Sequence, residues 1–138
     1  MSKVSSKQID KQLFSDIKGL IEETKHAVAT SVNSATTLLY WNIGCRINAD
    51  ILNNKRAEYG QEIVKGLSKS LTEEYGKGWS EKQLRHCLRI AETFPEKEIV
   101  YALSRQLSWT HLRSVMYIKE ALKREFYIEM ARHENWYE

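Results

Sequence analysis

Between Gly60 and Pro95 the chain spells out a helix, a glycine break and a second helix. The first helix is expected from Gln61 to Tyr75, because Ile63, Val64, Leu67 and Leu71 recur at helical spacing. Gly76-Lys77-Gly78-Trp79 ends it, since glycine tolerates the positive φ of a sharp helix exit. Ser80 is a good N-cap, and Gln83 stands where a capping box needs it. In the second helix Leu84, Cys87, Leu88, Ala91 and Phe94 share one face, and Lys82, Arg85, His86 and Arg89 share another. Pro95 stops this helix. The layout is that of a helix-turn-helix, whose second helix enters the major groove of DNA. An ordinary helical hairpin with a solvated charged face has the same pattern.

The rest of the chain is also written in helical periods. An apolar series runs Ile9, Leu13, Ile17, Leu20, Ile21, Thr24, Val28 and Val32, then from Leu38 through Trp41, Ile43 and Ile47 to Ile51. The small polar residues from Ser31 to Thr37 leave open one long kinked helix or two helices. Such an arm gains its stability from packing against a partner surface. After Pro95, Glu96 to Leu103 is a short helix, and Ser108 caps another with Trp109, Leu112, Val115 and Met116 on its face. A last helix begins near Lys119, with Leu122, Phe126, Tyr127 and Met130 apolar. The one proline and the lack of alternating strand patterns favour an all-α, multi-helix domain. Residues 1–8 are expected to be disordered, with one domain over 9–138. The abrupt end after Trp136 suggests a fragment or a shortened gene product.

Net charge is only +3, so nucleic-acid binding would have to rest on a local basic surface. The residues expected to face a duplex are Lys77, Ser80, Lys82, Arg85, His86 and Arg89. Arg85 and Arg89 suit guanine edges or phosphates, Lys77 and Lys82 suit phosphates, and Ser80 adds the helix N-terminus. His86 and His133 are expected at the surface because their neighbours are charged. Arg105, Arg113, Lys119, Lys123 and Arg124 are, taken singly, solubility charges.

Cys45 and Cys87 fall on or beside apolar faces and are expected as buried free thiols. No Cys/His spacing fits zinc, and no cofactor is expected. The N-terminus lacks a hydrophobic signal core and no apolar run spans a bilayer, so a cytoplasmic location without membrane contact is the simplest expectation. Ser108 and His111 could suggest a nucleophile and base, but a helix cap explains Ser108 better. Trp41, Trp79, Trp109 and Trp136 are expected as inter-helix anchors rather than base-stacking platforms.

Several of these residues carry a resemblance. Leu39-Tyr40-Trp41-Asn42-Ile43-Gly44 with Ile47, Tyr59-Gly60, Gly76-Lys77-Gly78-Trp79-Ser80, Phe94-Pro95, Gln106-Leu107-Ser108-Trp109-Thr110-His111, Phe126-Tyr127 and Trp136 resemble the N-terminal domain of YhcG-type proteins. The family usually has Ser where Thr110 stands, and continues past Trp136 with Ser and a basic residue where this chain has Tyr137 and Glu138. The resemblance implies a helical, winged-helix-like, DNA-binding domain that precedes a nuclease domain of the Pro-Asp…(Asp/Glu)-X-Lys type, in bacterial or archaeal proteins linked with restriction or mobile-element defence. No wing hairpin is evident in these residues.

The chain itself is not expected to be an enzyme. Its aspartates are Asp10, Asp16 and Asp50, and Glu23-Thr24-Lys25, which formally satisfies the nuclease triplet, lies in a helical pattern rather than on a strand. The expected role is a DNA-binding or targeting module of a nuclease-associated protein. The alternative is a protein-interaction or oligomerisation module. Its arm would pair with a second copy, or dock a nuclease or restriction-complex partner.

Overall fold

The computed structural model describes the backbone of residues 3–54 and 58–133, and the side chains of 11–54 and 58–133. Six helices lie among the described residues: α1 (Lys3–Asn53), α2 (Tyr59–Tyr75), α3 (Glu81–Thr93), α4 (Lys97–Ser104), α5 (Trp109–Met116) and α6 (Ala121–His133). The all-α expectation is met. No strand that could form a wing occurs among the described residues. Trp136 lies outside them.

The chain divides into two compact units, Met1–Val32 and Asn33–Glu138. In the first, side chains 11–29 are all exposed. The second holds two apolar clusters. One gathers Ile47, Val64 and Leu84 with Ile43, Leu67, Leu71 and Trp79, and joins α1, α2 and the start of α3. The other gathers Ile90, Phe94, Val100, Leu107, Leu112, Met116 and Ile128 with Leu38 and Trp41, and joins α1, the end of α3 and α4 to α6.

Helix α1 is not broken at Ser31–Thr37. The small polar residues there serve close packing instead. Ser34 and Thr37 are buried, and the Ser104 hydroxyl donates to the Ser34 oxygen at 3.0 Å. Asn33 bonds to both sides of the α4–α5 connection. Its Nδ2 donates to the Ser104 carbonyl at 2.7 Å and to the Leu107 carbonyl at 2.9 Å. Its Oδ1 accepts from the Trp109 backbone N–H at 3.0 Å. The Ser104 carbonyl ends α4 and the Trp109 N–H opens α5, helix ends that lack partners within their own helices, while Leu107 lies in the connection between them.

Gly44 is where α1 meets α3 most closely. A Cβ placed on it would stand 1.9 Å from the Cys87 carbonyl oxygen and 3.0 Å from the Ala91 Cβ. One turn earlier in α1, the Trp41 indole N–H donates to the Phe94 carbonyl at 2.7 Å, satisfying the exit of α3. Tyr40 lies between Trp79 and Trp109, with ring centroids 6.3 and 4.7 Å away. The three described tryptophans are thus half-buried anchors, as expected. Helix α6 buries Ile128 and Ala131, while its apolar Leu122 and Phe126 are exposed.

Candidate nucleic-acid interface

The α2–turn–α3 unit forms as its sequence suggests. Gly76 and Gly78 take φ of 83° and 112°, and the Gly76 N–H donates to the Thr72 carbonyl at 2.9 Å. The Ser68 hydroxyl donates to the Trp79 carbonyl at 2.8 Å and closes the turn against α2. Ser80 caps α3, its hydroxyl oxygen accepting from the Gln83 N–H at 3.1 Å. Glu81 precedes the basic stripe in the first turn, where the helix dipole favours an acid.

The expected site residues do not all face the same way. Lys77, Ser80, Lys82 and Arg85 are exposed. Arg85 pairs with Glu81 at 3.2 Å, an exposed i,i+4 contact that leaves it within reach of a ligand. Arg89 is half-buried. Its Nε donates to the Met116 carbonyl at 2.9 Å, and its guanidinium lies 5.3 Å from the centre of the Tyr117 ring. A cation on the last carbonyls of α5 is favourable by the same dipole argument.

His86 corrects the sequence expectation: it is buried, at 9% exposure. The Tyr117 hydroxyl and His86 Nδ1 are hydrogen-bonded at 2.6 Å. Helical spacing grouped His86 with Lys82 and Arg89, but α5 covers that edge of α3. Burial lowers the His86 pKa below its usual 6.5, and the nearby charges of Arg113 and Lys82 lower it further. The imidazole is therefore neutral at pH 7. Burial raises the Tyr117 pKa, with Arg89 and Arg113 opposing.

This arrangement has a pH consequence with a definite sign. The folded-state pKa of His86 lies below the unfolded value, so the unfolded chain takes up the proton first on acidification. The contribution is complete above 6.5 and is lost as pH falls through and below that value. Thermal melts between pH 7.5 and 5 are expected to show this fall, and a His86→Gln variant is expected to lose that component of it. An unchanged profile in the variant would assign the pH dependence to other groups.

Arg113, on α5, is the residue that sequence spacing missed. It acts electrostatically on both His86 and Tyr117, as Lys82 does on His86 from α3. Lys82, Arg89 and Arg113 thus act on one His–Tyr pair from two helices, with Glu92 opposing at Tyr117. Only tertiary packing brings Arg113 there; in sequence it is one basic residue among many.

The Ser108–His111 pair has a local structural explanation. The Ser108 oxygen accepts from the His111 N–H at 3.3 Å and lies 2.8 Å from His111 Nδ1, which is the local cap expected. Glu23-Thr24-Lys25 lies within α1. Cys87 is fully buried and its thiol pKa is pushed up to about 12 by burial, while Cys45 is partly buried. No group of three His, Cys, Asp or Glu side chains suited to a metal is found among the described residues. Among them, no helix is long and apolar enough to cross a membrane.

Helices α2 to α6 therefore define a helical module with a capped, partly solvent-facing basic helix. The chain belongs to the family described as the DUF1016 N-terminal domain, which matches residues 16–138. It is 33% identical over 98 residues to the protein named "Putative nuclease YhcG" of Escherichia coli (strain K12). That similarity covers 70% of this chain and 26% of the relative, so the chain spans about a quarter of the relative's length. No solved structure matches it.

Proposed function

We propose that this domain is a DNA-binding module that positions a nuclease-associated protein on its substrate. The observation that carries the reading is the Ser80-capped helix α3 with Lys82 and Arg85 exposed and half-buried Arg89 alongside, while Arg113 of α5 acts on the same His86 as Lys82 does. A cationic surface built from two helices suits a phosphate backbone better than a lone charged stripe does. Ser80 and the first N–H groups of α3 can add to a phosphate contact, and Lys77 flanks them from the turn. The nuclease-associated family context supports nucleic acid as the ligand. His86 serves this surface from beneath, by holding α3 against Tyr117, rather than by touching DNA.

The test is fluorescence anisotropy with duplex and single-stranded DNA over a range of salt. Binding is expected to weaken steeply as salt rises, because neutralised phosphates release counterions. Lys82→Glu with Arg85→Glu is expected to weaken it at least about tenfold at low salt and to flatten the salt dependence. These two side chains are exposed, so the melting temperature should change little. Arg89→Glu would be a poorer test because it also breaks the contact with Met116. Unchanged affinity in the Lys82/Arg85 variant would refute the assignment.

A further inference from the structure

Residues 11–29 of α1 form an amphipathic helix whose apolar side is uncovered. Leu13, Ile17, Leu20 and Thr24 follow one another at alternating steps of four and three residues, the spacing of a coiled-coil seam. Phe14, Ile21 and Val28 widen the stripe along one edge at seven-residue intervals. The large apolar residues of this stripe are all exposed, from 46% for Ile17 to 69% for Phe14. Gly19 stands in the middle of the segment, with nothing within 4 Å of the place its Cβ would occupy. Glycine in a helix interior weakens the helix relative to alanine, so the segment depends on packing for its helicity.

The charges beside the stripe identify what covers it. Lys11, Lys18 and Lys25 recur at seven-residue steps along one flank, while Asp16 and Glu23 line the opposite flank. When two identical helices pack in parallel, each flank of one faces the opposite flank of the other. Lysines then meet acids along both edges. In an antiparallel pair like flanks would meet, acid against acid and lysine against lysine, which is unfavourable. A single copy therefore carries both halves of a complementary interface.

We infer that the stripe from Leu13 to Val28 is the seam of a parallel, in-register homodimer, its occupant being a second copy of this chain. The inference goes beyond DNA binding and does not depend on it. The Leu, Ile and Phe side chains supply the apolar interior. The lysine and carboxylate flanks fix direction and register.

Sedimentation equilibrium of the whole chain tests it, with circular dichroism to check that each variant keeps its helix content. The wild type is expected to dimerise reversibly between micromolar and submillimolar concentration. Ile17→Glu is expected to leave it monomeric. Asp16→Lys with Glu23→Lys gives flanks that are all basic, and Lys18→Glu with Lys25→Glu gives flanks that are nearly all acidic. Each double variant alone is expected to dimerise at least about tenfold more weakly at low salt. An equimolar mixture of the two is expected to recover a dimer containing one of each. A wild type that stays monomeric at every concentration overturns the inference, as does a dimer indifferent to Ile17→Glu. Failure of the two charge variants to pair with each other overturns the parallel register. Capture of a different protein by a monomeric chain would assign the stripe to that partner and refute the homodimer.

Discussion

Gly44→Ala is expected to destabilise the domain by about 3 kcal/mol, because an added methyl has no space and the neighbour it meets is backbone. The new Cβ would stand 1.9 Å from the Cys87 carbonyl oxygen and 2.6 Å from its carbon. A side-chain neighbour could rotate away; a carbonyl inside α3 cannot move without shifting the helix. Alanine has the better helix propensity by about 1 kcal/mol, and that gain is smaller than the overpacking cost. A domain of this size should lose about 12 °C in melting temperature. Gly66→Ala is the matched control. Gly66 lies on α2 with nothing within 4 Å of its Cβ position. There the same change is expected to stabilise by about 0.5–1 kcal/mol. Equal melting temperatures for the two variants would remove the close α1–α3 crossing from the account of this fold.

The second large effect belongs to Asn33. Asn33→Ala removes two donors from the Ser104 and Leu107 carbonyls and one acceptor from the Trp109 N–H. Stranding polar groups at a part-buried helix connection costs more than the hydrogen bonds contribute net, so a loss of about 2–3 kcal/mol is expected. Asn33→Asp separates this from simple truncation. The carboxylate keeps the acceptor for Trp109 but turns an oxygen toward two carbonyls, so it should be at least as damaging as alanine above neutral pH. Denaturant unfolding of both variants is the measurement. An aspartate variant as stable as the wild type would show that the two donor contacts contribute little.

The parts of this architecture that depend on neighbours in sequence were legible there. Ser80 and Ser108 announce their helices because a cap bonds two or three residues ahead. The glycines of the α2–α3 turn are needed for positive φ, which is also a local property. The end of α3 followed from Pro95. What escaped sequence reasoning depends on residues far apart. Asn33 and Ser34 look like helix breakers until the α4–α5 connection is set against them. Gly44 looks like a weak point in a helix until Cys87 is placed opposite it. His86 has charged neighbours in sequence, but Tyr117, just past the end of α5, bonds to it. Arg113 joined the candidate interface by the same route. The basic character of α3 was therefore legible, while its division between solvent-facing and inward-bonded charges was not.

The meeting of Gly44 and Cys87 also gives the domain an internal witness of its own opening. The Cys87 thiol is sealed from solvent and held protonated well above neutral pH. A thiol reagent can reach it only in the molecules in which the packing around α3 has come apart. Partly buried Cys45, next to Gly44 in α1, supplies a contrasting site in the same chain. The difference between the two labelling rates is thus a natural clock for breathing of the α1–α3 seam, with no foreign probe added.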